Sequence, residues 1–369
     1  MAAALTIPTT PQELTPEWLT EALRETGTIK ATSVESFDME PDIAAGVGFL
    51  GVLAHVSPQY DRAEEGAPRS LIAKFPTPAP EYRELADVFR FYEIETRFYE
   101  EIAGEVELRT PRCYYSHFDS QTGDFVLLLE DLAPARLGDQ LAGCTRAEAE
   151  LCIGNLAKFH ATWWESPRLA QMDWLPTIDD PFRAQTLEDN YREAWPPFVE
   201  YVGDRLSPAM RDICERFGRS IPTMIGRVGK RPRTIVHGDY RLDNLFFTTS
   251  QGGDSLAVID WQIASRGPGV FDIAYFNCGT LPPAERKRSE MDLLRMYHSI
   301  LEENGVRGCE FDQCVEDYRA SVLFCLAYSV LAIGNLDLTN ERGVQLFNTI
   351  MERTFAAITD LNAGELLPE

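Results

Sequence analysis

Basic side chains are in short supply: 34 lysines and arginines stand against 58 aspartates and glutamates, a formal charge of -24 over 369 residues. So acidic a chain repels phosphate backbones and anionic lipid, which argues against nucleic acid and membrane surfaces as partners. The excess serves solubility or an acidic cleft for a cationic substrate, and charge by itself does not choose between them. Long apolar runs are missing as well. The most apolar stretch, 322–333, carries Tyr328 and Ser329 and falls short of the roughly 20 residues of a membrane-spanning helix, so it predicts a core helix. No basic residue precedes Arg24, which speaks against a secretory signal. The eight cysteines, at 113, 144, 152, 214, 278, 309, 314 and 325, include no C-x-x-C pair and no small secreted framework, which predicts reduced thiols in a cytoplasmic protein. H-E-x-x-H and G-x-S-x-G are absent, and Gly229-Lys230 is followed by Arg231 where a P-loop needs a hydroxyl for magnesium. No repeat, low-complexity tract or heptad run occurs.

What is present is a chain long enough for two lobes, with an ordinary 44% apolar and 25% charged composition. Strand patterns fall at 34–37, 51–56 and 71–75, and three prolines at 76, 78 and 80 then break the chain. Helical spacing of apolar residues predicts one long helix over 82–102. Two further strands, 113–118 and 125–129, flank a hairpin turn at 120–123. Beyond 131 most of the chain reads as helix, apart from an island of strand and loop over 234–260. The expected division is therefore a sheet-rich lobe over 1–131 and a helical lobe over 132–369. Thr145, with Glu148 three residues on, has the form of a capping box opening a helix that runs through Leu156 and His160 to Trp164.

The strongest chemical signal is the run from Ile235 to Phe246, of form H-x-D-x-x-x-x-N at His237, Asp239 and Asn244. Phosphoryl transfer to an alcohol needs a carboxylate to orient the hydroxyl and take its proton, with an oxygen ligand for Mg²⁺ nearby; Asp239 and Asn244 stand at the kinase catalytic-loop spacing. A lone Asp or Asn here would be a turn cap, but the full pattern asks for more. Soon after, the apolar strand 256–259 ends in Asp260, placed for a second oxygen ligand to Mg²⁺; alone it would be an ordinary strand-terminal aspartate.

Upstream, Lys74 sits inside the apolar run 70–75, where an unpaired ammonium is costly. In kinase chemistry it takes the ATP α- and β-phosphates and a glutamate from the next helix. Leu85, Val88, Tyr92, Glu95, Tyr99 and Ile102 follow steps of three and four, so Glu95 faces inward as that partner while Glu93 does not. If this register is displaced, both charges lie on the surface. Gly46, Gly48 and Gly51 form a G-x-G-x-x-G between strand-like segments, a phosphate-cradling loop or a plain hairpin turn.

Together these residues, from Gly46 to Phe276, resemble the aminoglycoside phosphotransferase and choline kinase-like family. The resemblance implies an α+β, bilobal protein kinase-like fold with a small antiparallel-sheet N-lobe and a larger, mostly helical C-lobe, ATP clamped between them with Mg²⁺, and a hydroxylated small-molecule acceptor. It assigns His237–Asn244 as catalytic loop, Asp260-Trp261-Gln262 as metal segment, and Leu128–Leu132 as hinge, where backbone groups of Glu130 and Leu132 take the adenine edge. Asp272, in the run 267–275, becomes a structural residue at a helix start. No Ala-Pro-Glu follows Asp260 at a suitable distance, which argues against a protein substrate. After Asp239 stand Tyr240, Arg241 and Leu242, where many members have Leu-His-Pro, so an aminoglycoside is one acceptor class among several. A nucleotide-binding pseudokinase is the other reading, against which stands the presence of every polar group the chemistry needs. Trp163, Trp164, Trp174 and Trp195 read as core packing before acceptor-pocket lining, and His160 as a satisfied core histidine.

Overall fold

The computed structural model describes residues 5–41, 43, 50–250, 252–335 and 338–368. In chain order it contains α1 (Pro16–Glu25), β1 (Val34–Glu40), β2 (Gly51–Tyr60), β3 (Leu71–Pro76), α2 (Pro80–Phe89), α3 (Phe91–Glu101), β4 (Cys113–Phe118) and β5 (Phe125–Glu130). There follow β6 (Arg136–Leu137), α4 (Arg146–Trp163), α5 (Pro181–Val202), α6 (Pro208–Val228), β7 (Thr234–Val236), β8 (Leu245–Thr249), β9 (Gly252–Val258) and β10 (Ser265–Gly267). Helices α7 (Val270–Thr280), α8 (Pro283–Glu303), α9 (Phe311–Leu331) and α10 (Glu341–Asp360) complete the chain, an α+β architecture of the expected kind.

One compact unit comprises the chain up to Ala135 together with Thr248–Ile263. Its five-stranded antiparallel sheet runs β1-β2-β3-β5-β4. The inner strands β3 and β5 are buried nearly throughout and so read as continuous apolar runs rather than as an alternation. Leu71, Ala73 and Phe75 join Leu19 and Leu23 of α1 in one core, so α1 covers that face of the sheet. Lys74, pointing the other way by the period of two, faces α3, which packs on β4 and β5. The segment 248–263, which the sequence groups with the second lobe, belongs to this unit because its backbone and side chains are tied here: Val258 N donates to Arg109 O at 2.9 Å, and the buried Trp261 stacks on Phe98 at 3.8 Å.

The single helix expected over 82–102 is two. Arg90 adopts φ 60°, in the left-handed region, and its N–H closes α2 on Ala86 O and Asp87 O before α3 begins. The break redirects the apolar stripe: Leu85 and Val88 are 37% and 48% exposed, whereas Tyr92, Glu95, Tyr99 and Ile102 are buried.

The second unit comprises Arg136–Phe247 and Ala264–Glu369. Its core is α7 packed on α9, with α5, α6 and α10 also on α9. Every described residue of α7 except Tyr275 is buried, as a helix apolar on all sides requires. Residues Phe311–Gly334 are long and apolar enough to cross a membrane by length and composition, but most of that span is buried within the unit, so it serves as a core helix. The capping box of α4 forms as expected: Thr145 Oγ1 accepts from Glu148 N at 3.2 Å and Glu148 Oε2 from Thr145 N at 2.9 Å. Two short antiparallel pairs, β6 with β8 and β7 with β10, frame the loop between β7 and β8. All eight cysteines are free thiols.

Candidate active site

In the first unit a three-charge cluster forms around β3. Lys74 Nζ lies 2.6 Å from Glu95 Oε2 and 3.0 Å from Asp260 Oδ1. The lysine and glutamate side chains are 10% and 1% exposed, and Asp260 is 26% exposed. Burial by itself would pull the Lys74 ammonium down, but the carboxylates of Asp260 and Glu95 outweigh it and hold it above its ordinary value. Burial pushes the Glu95 carboxyl up to about 7, against the pull of Lys74. Removing one partner of such a buried pair costs about 3–5 kcal/mol, because the other charge is left uncompensated.

Asp260 is aimed at Lys74 by its neighbours. Its φ of 66° puts a non-glycine residue in the left-handed region, a strain of order 1–3 kcal/mol that persists only where surroundings enforce it. Here Trp261, stacked parallel to Phe98 within 7°, anchors the next residue in the core. Gln262 Nε2 donates to the second carboxylate oxygen at 3.2 Å. Glu93, the glutamate off the stripe, pairs instead with Arg97 on its own helix and with Arg90 at the break before it. Gly46 and Gly48 lie outside the described residues. Gly51 opens β2, where a Cβ would stand 3.0 Å from Phe75 O, a tight approach that favours a glycine.

In the second unit β7 delivers the chain to His237, and Gly238 takes φ 85° to turn it toward Asp239. The Asp239 carboxylate accepts three hydrogen bonds. Tyr275 Oη donates to Oδ1 at 2.8 Å; Asn244 Nδ2 and Arg241 Nε donate to Oδ2 at 3.0 and 3.2 Å. Asn244 Nδ2 also donates to Asp239 O at 2.9 Å. Arg241 reaches Asp243 too, at 3.4 Å.

The loop backbone is held from beneath. Asp272, wholly buried in the first turn of α7, accepts from His237 N at 2.7 Å and Gly238 N at 2.9 Å. His160 Nε2 stands 3.3 Å from Asp272 Oδ2, and His160 Nδ1 is 3.0 Å from Tyr297 Oη. The histidine expected to be a satisfied core residue is therefore also the brace of the residue that braces the loop. Gln140 Oε1 accepts from Leu242 N at 2.8 Å, and Tyr240 Oη donates to Cys152 O at 2.9 Å.

The remaining predicted residues separate. Glu130 ends β5; its side chain takes a bidentate pair from Arg109 Nη2, at 2.7 and 2.8 Å, and its N–H donates to Arg112 O at 2.8 Å. Leu132 O accepts from Ala135 N at 2.9 Å. Trp163 and Trp174 are buried core residues; Trp164 and Trp195 are half-buried, the latter stacked between Tyr191 and Phe198. Sequence reasoning missed Tyr275 and Gln140. Tyr275 stands three residues after Asp272 on one helix, a spacing that puts both on the same face; Gln140 carries no comparable signal. Among the described residues no three or more His, Cys, Asp or Glu side chains gather for a metal.

The chain is 35% identical over 95 residues to acyl-CoA dehydrogenase family member 10 of Mus musculus, a match spanning 26% of this chain and 8% of that protein. In fold it is similar to choline kinase from Cryptosporidium parvum Iowa II, with a TM-score of 0.57, 12% identity, and coverage of 90% of this chain and 92% of that one. It is also similar to the GDP complex of aminoglycoside 2'-phosphotransferase-IIIa, with a TM-score of 0.50, 14% identity, and coverage of 92% and 99%. A family model matches residues 45–307, a stretch that contains Lys74, Glu95, Asp239, Asn244 and Asp260, and the chain thus belongs to the ecdysteroid kinase-like family, within the protein kinase-like small-molecule kinases that its sequence resembles.

Proposed function

We propose that the protein transfers the γ-phosphoryl group of ATP to a hydroxyl of a small molecule, with Asp239 as the base. The observation that carries this reading is the fixed carboxylate of Asp239, held by Tyr275, Asn244 and Arg241 at the end of a buried strand. Such a group orients an alcohol and receives its proton as the oxygen attacks phosphorus. Lys74, kept ionised by Asp260 and Glu95, grips the α- and β-phosphates, and Glu95 keeps its ammonium in place. Backbone groups at Glu130 and Leu132 take the adenine edge. Bound through Asn244 and Asp260, Mg²⁺ would neutralise the charge that develops on the phosphate oxygens.

Similar proteins are named for choline, aminoglycosides and ecdysteroids, so these head the acceptors to be offered, followed by sugars and hydroxylated lipophiles. Incubation of the pure protein with Mg-ATP and this panel is expected to add the mass of one phosphoryl group to at least one alcohol. Asp239→Asn should slow that transfer by roughly 10²–10⁴-fold. Near-wild-type turnover in the variant would remove Asp239 as base, and ATP binding without transfer to any acceptor would make the protein a nucleotide-binding pseudokinase.

A further inference from the structure

We propose that Tyr275 is a positioning residue for this reaction: its hydroxyl, donating to Asp239 Oδ1 at 2.8 Å, sets the plane of the carboxylate that meets the acceptor. The inference rests on the reading of Asp239 as the base. A carboxylate has about four lone-pair sites. Three are taken, by Tyr275 on Oδ1 and by Asn244 and Arg241 on Oδ2, which leaves room for one acceptor hydroxyl.

The three donors differ in rigidity. Arg241 lies at the end of a long stem and divides its bonds between Asp239 and Asp243. Asn244 is the residue assigned to the metal. Tyr275 is rigid, with few side-chain torsions and a ring set beside Phe271, centroids 6.3 Å apart, and edge-on to Tyr328 at 5.2 Å. One helical turn earlier on α7, Asp272 holds the N–H groups of His237 and Gly238. The same helix thus fixes the loop backbone ahead of the base and, through Tyr275, the base itself. Burial, with the charge of Asp239 added, pushes the Tyr275 phenol well up, so the hydroxyl stays a donor at neutral pH.

Without the hydroxyl Oδ1 loses its donor and the carboxylate is held only through Oδ2, and a hydrogen bond to a charged group is strong enough to change a rate by about 10- to 100-fold. Tyr275→Phe removes one oxygen and keeps the ring. With Mg-ATP and whichever alcohol of the panel is phosphorylated by the wild type, its kcat should fall by about that factor, with the KM for ATP and the unfolding midpoint unchanged. In an Asp239→Asn background the same substitution should cost nothing further, because the group it positions no longer acts as a base. An equal loss in both backgrounds would show that Tyr275 only packs, and a wild-type kcat in Tyr275→Phe would also overturn the role. A wild type that transfers phosphate to no alcohol overturns the reaction itself and the role with it.

Discussion

Glu95 and Asp239 are both carboxylates held by neighbouring donors, yet one is 1% exposed and the other 21%, a difference that fits the proposed roles of anchor and base. Glu95 shows what burial does to an anchor. Its folded pKa, about 7, lies above the ordinary glutamate value of 4.5, so folding takes up a proton between those two values. The contribution of Glu95 to stability is therefore full below pH 4.5 and is lost as pH rises through about 7. Glutamine has the same shape and no proton to exchange. Chemical unfolding followed from pH 4.5 to 8 should show a shallower fall in stability for Glu95→Gln than for the wild type; parallel profiles would mean that Glu95 does not titrate there.

At the scale of elements the loop between β7 and β8, the proposed catalytic loop, is positioned by the start of α7. Gly269, just before that helix, has an unremarkable φ of -56°, so its importance is space: a Cβ there would stand 2.5 Å from Tyr297 Oη and 2.6 Å from His160 Nδ1. Gly269→Ala should cost about 1–3 kcal/mol of stability through overpacking. Because the displaced groups brace Asp272, kcat should fall more than the loss of folded protein explains; unfolding and turnover measured on one preparation test this. Element by element, strands were the more legible. The run 113–118 matches β4 residue for residue, since the strand propensity of its aromatic residues and the flanking turn both act locally. The helix over 82–102 was misjudged because helical spacing continues through Arg90 in sequence while its backbone turns left-handed. Tertiary contacts of the second half with the sheet, not spacing, decide where such a helix breaks.

For the molecule as a whole the net charge of -24 sets a background of self-repulsion. Raising salt from about 0.01 to 0.15 M shortens the Debye length from about 30 to 8 Å. The thermal midpoint should rise over that range; a fall would show that attractive surface pairs such as Arg146–Glu150 outweigh the repulsion. The same chain-wide view explains α9, whose apolar length satisfies a membrane test while its neighbours α5, α6, α7 and α10 bury it.

By itself the sequence determined the α+β class, the first residues of β1 to β5, the capping box of α4, the choice of Glu95 over Glu93, and the chemical types at 74, 95, 239, 244 and 260, because each depends on local periodicity or on a motif of a few residues. Only the tertiary structure decided that residues 248–263 fold with the first sheet, that the helix expected over 82–102 breaks at Arg90, and that Tyr275 and Gln140 hold the loop. Those outcomes depend on contacts between residues far apart in the chain, up to 186 positions for Lys74 and Asp260, and no local pattern encodes them.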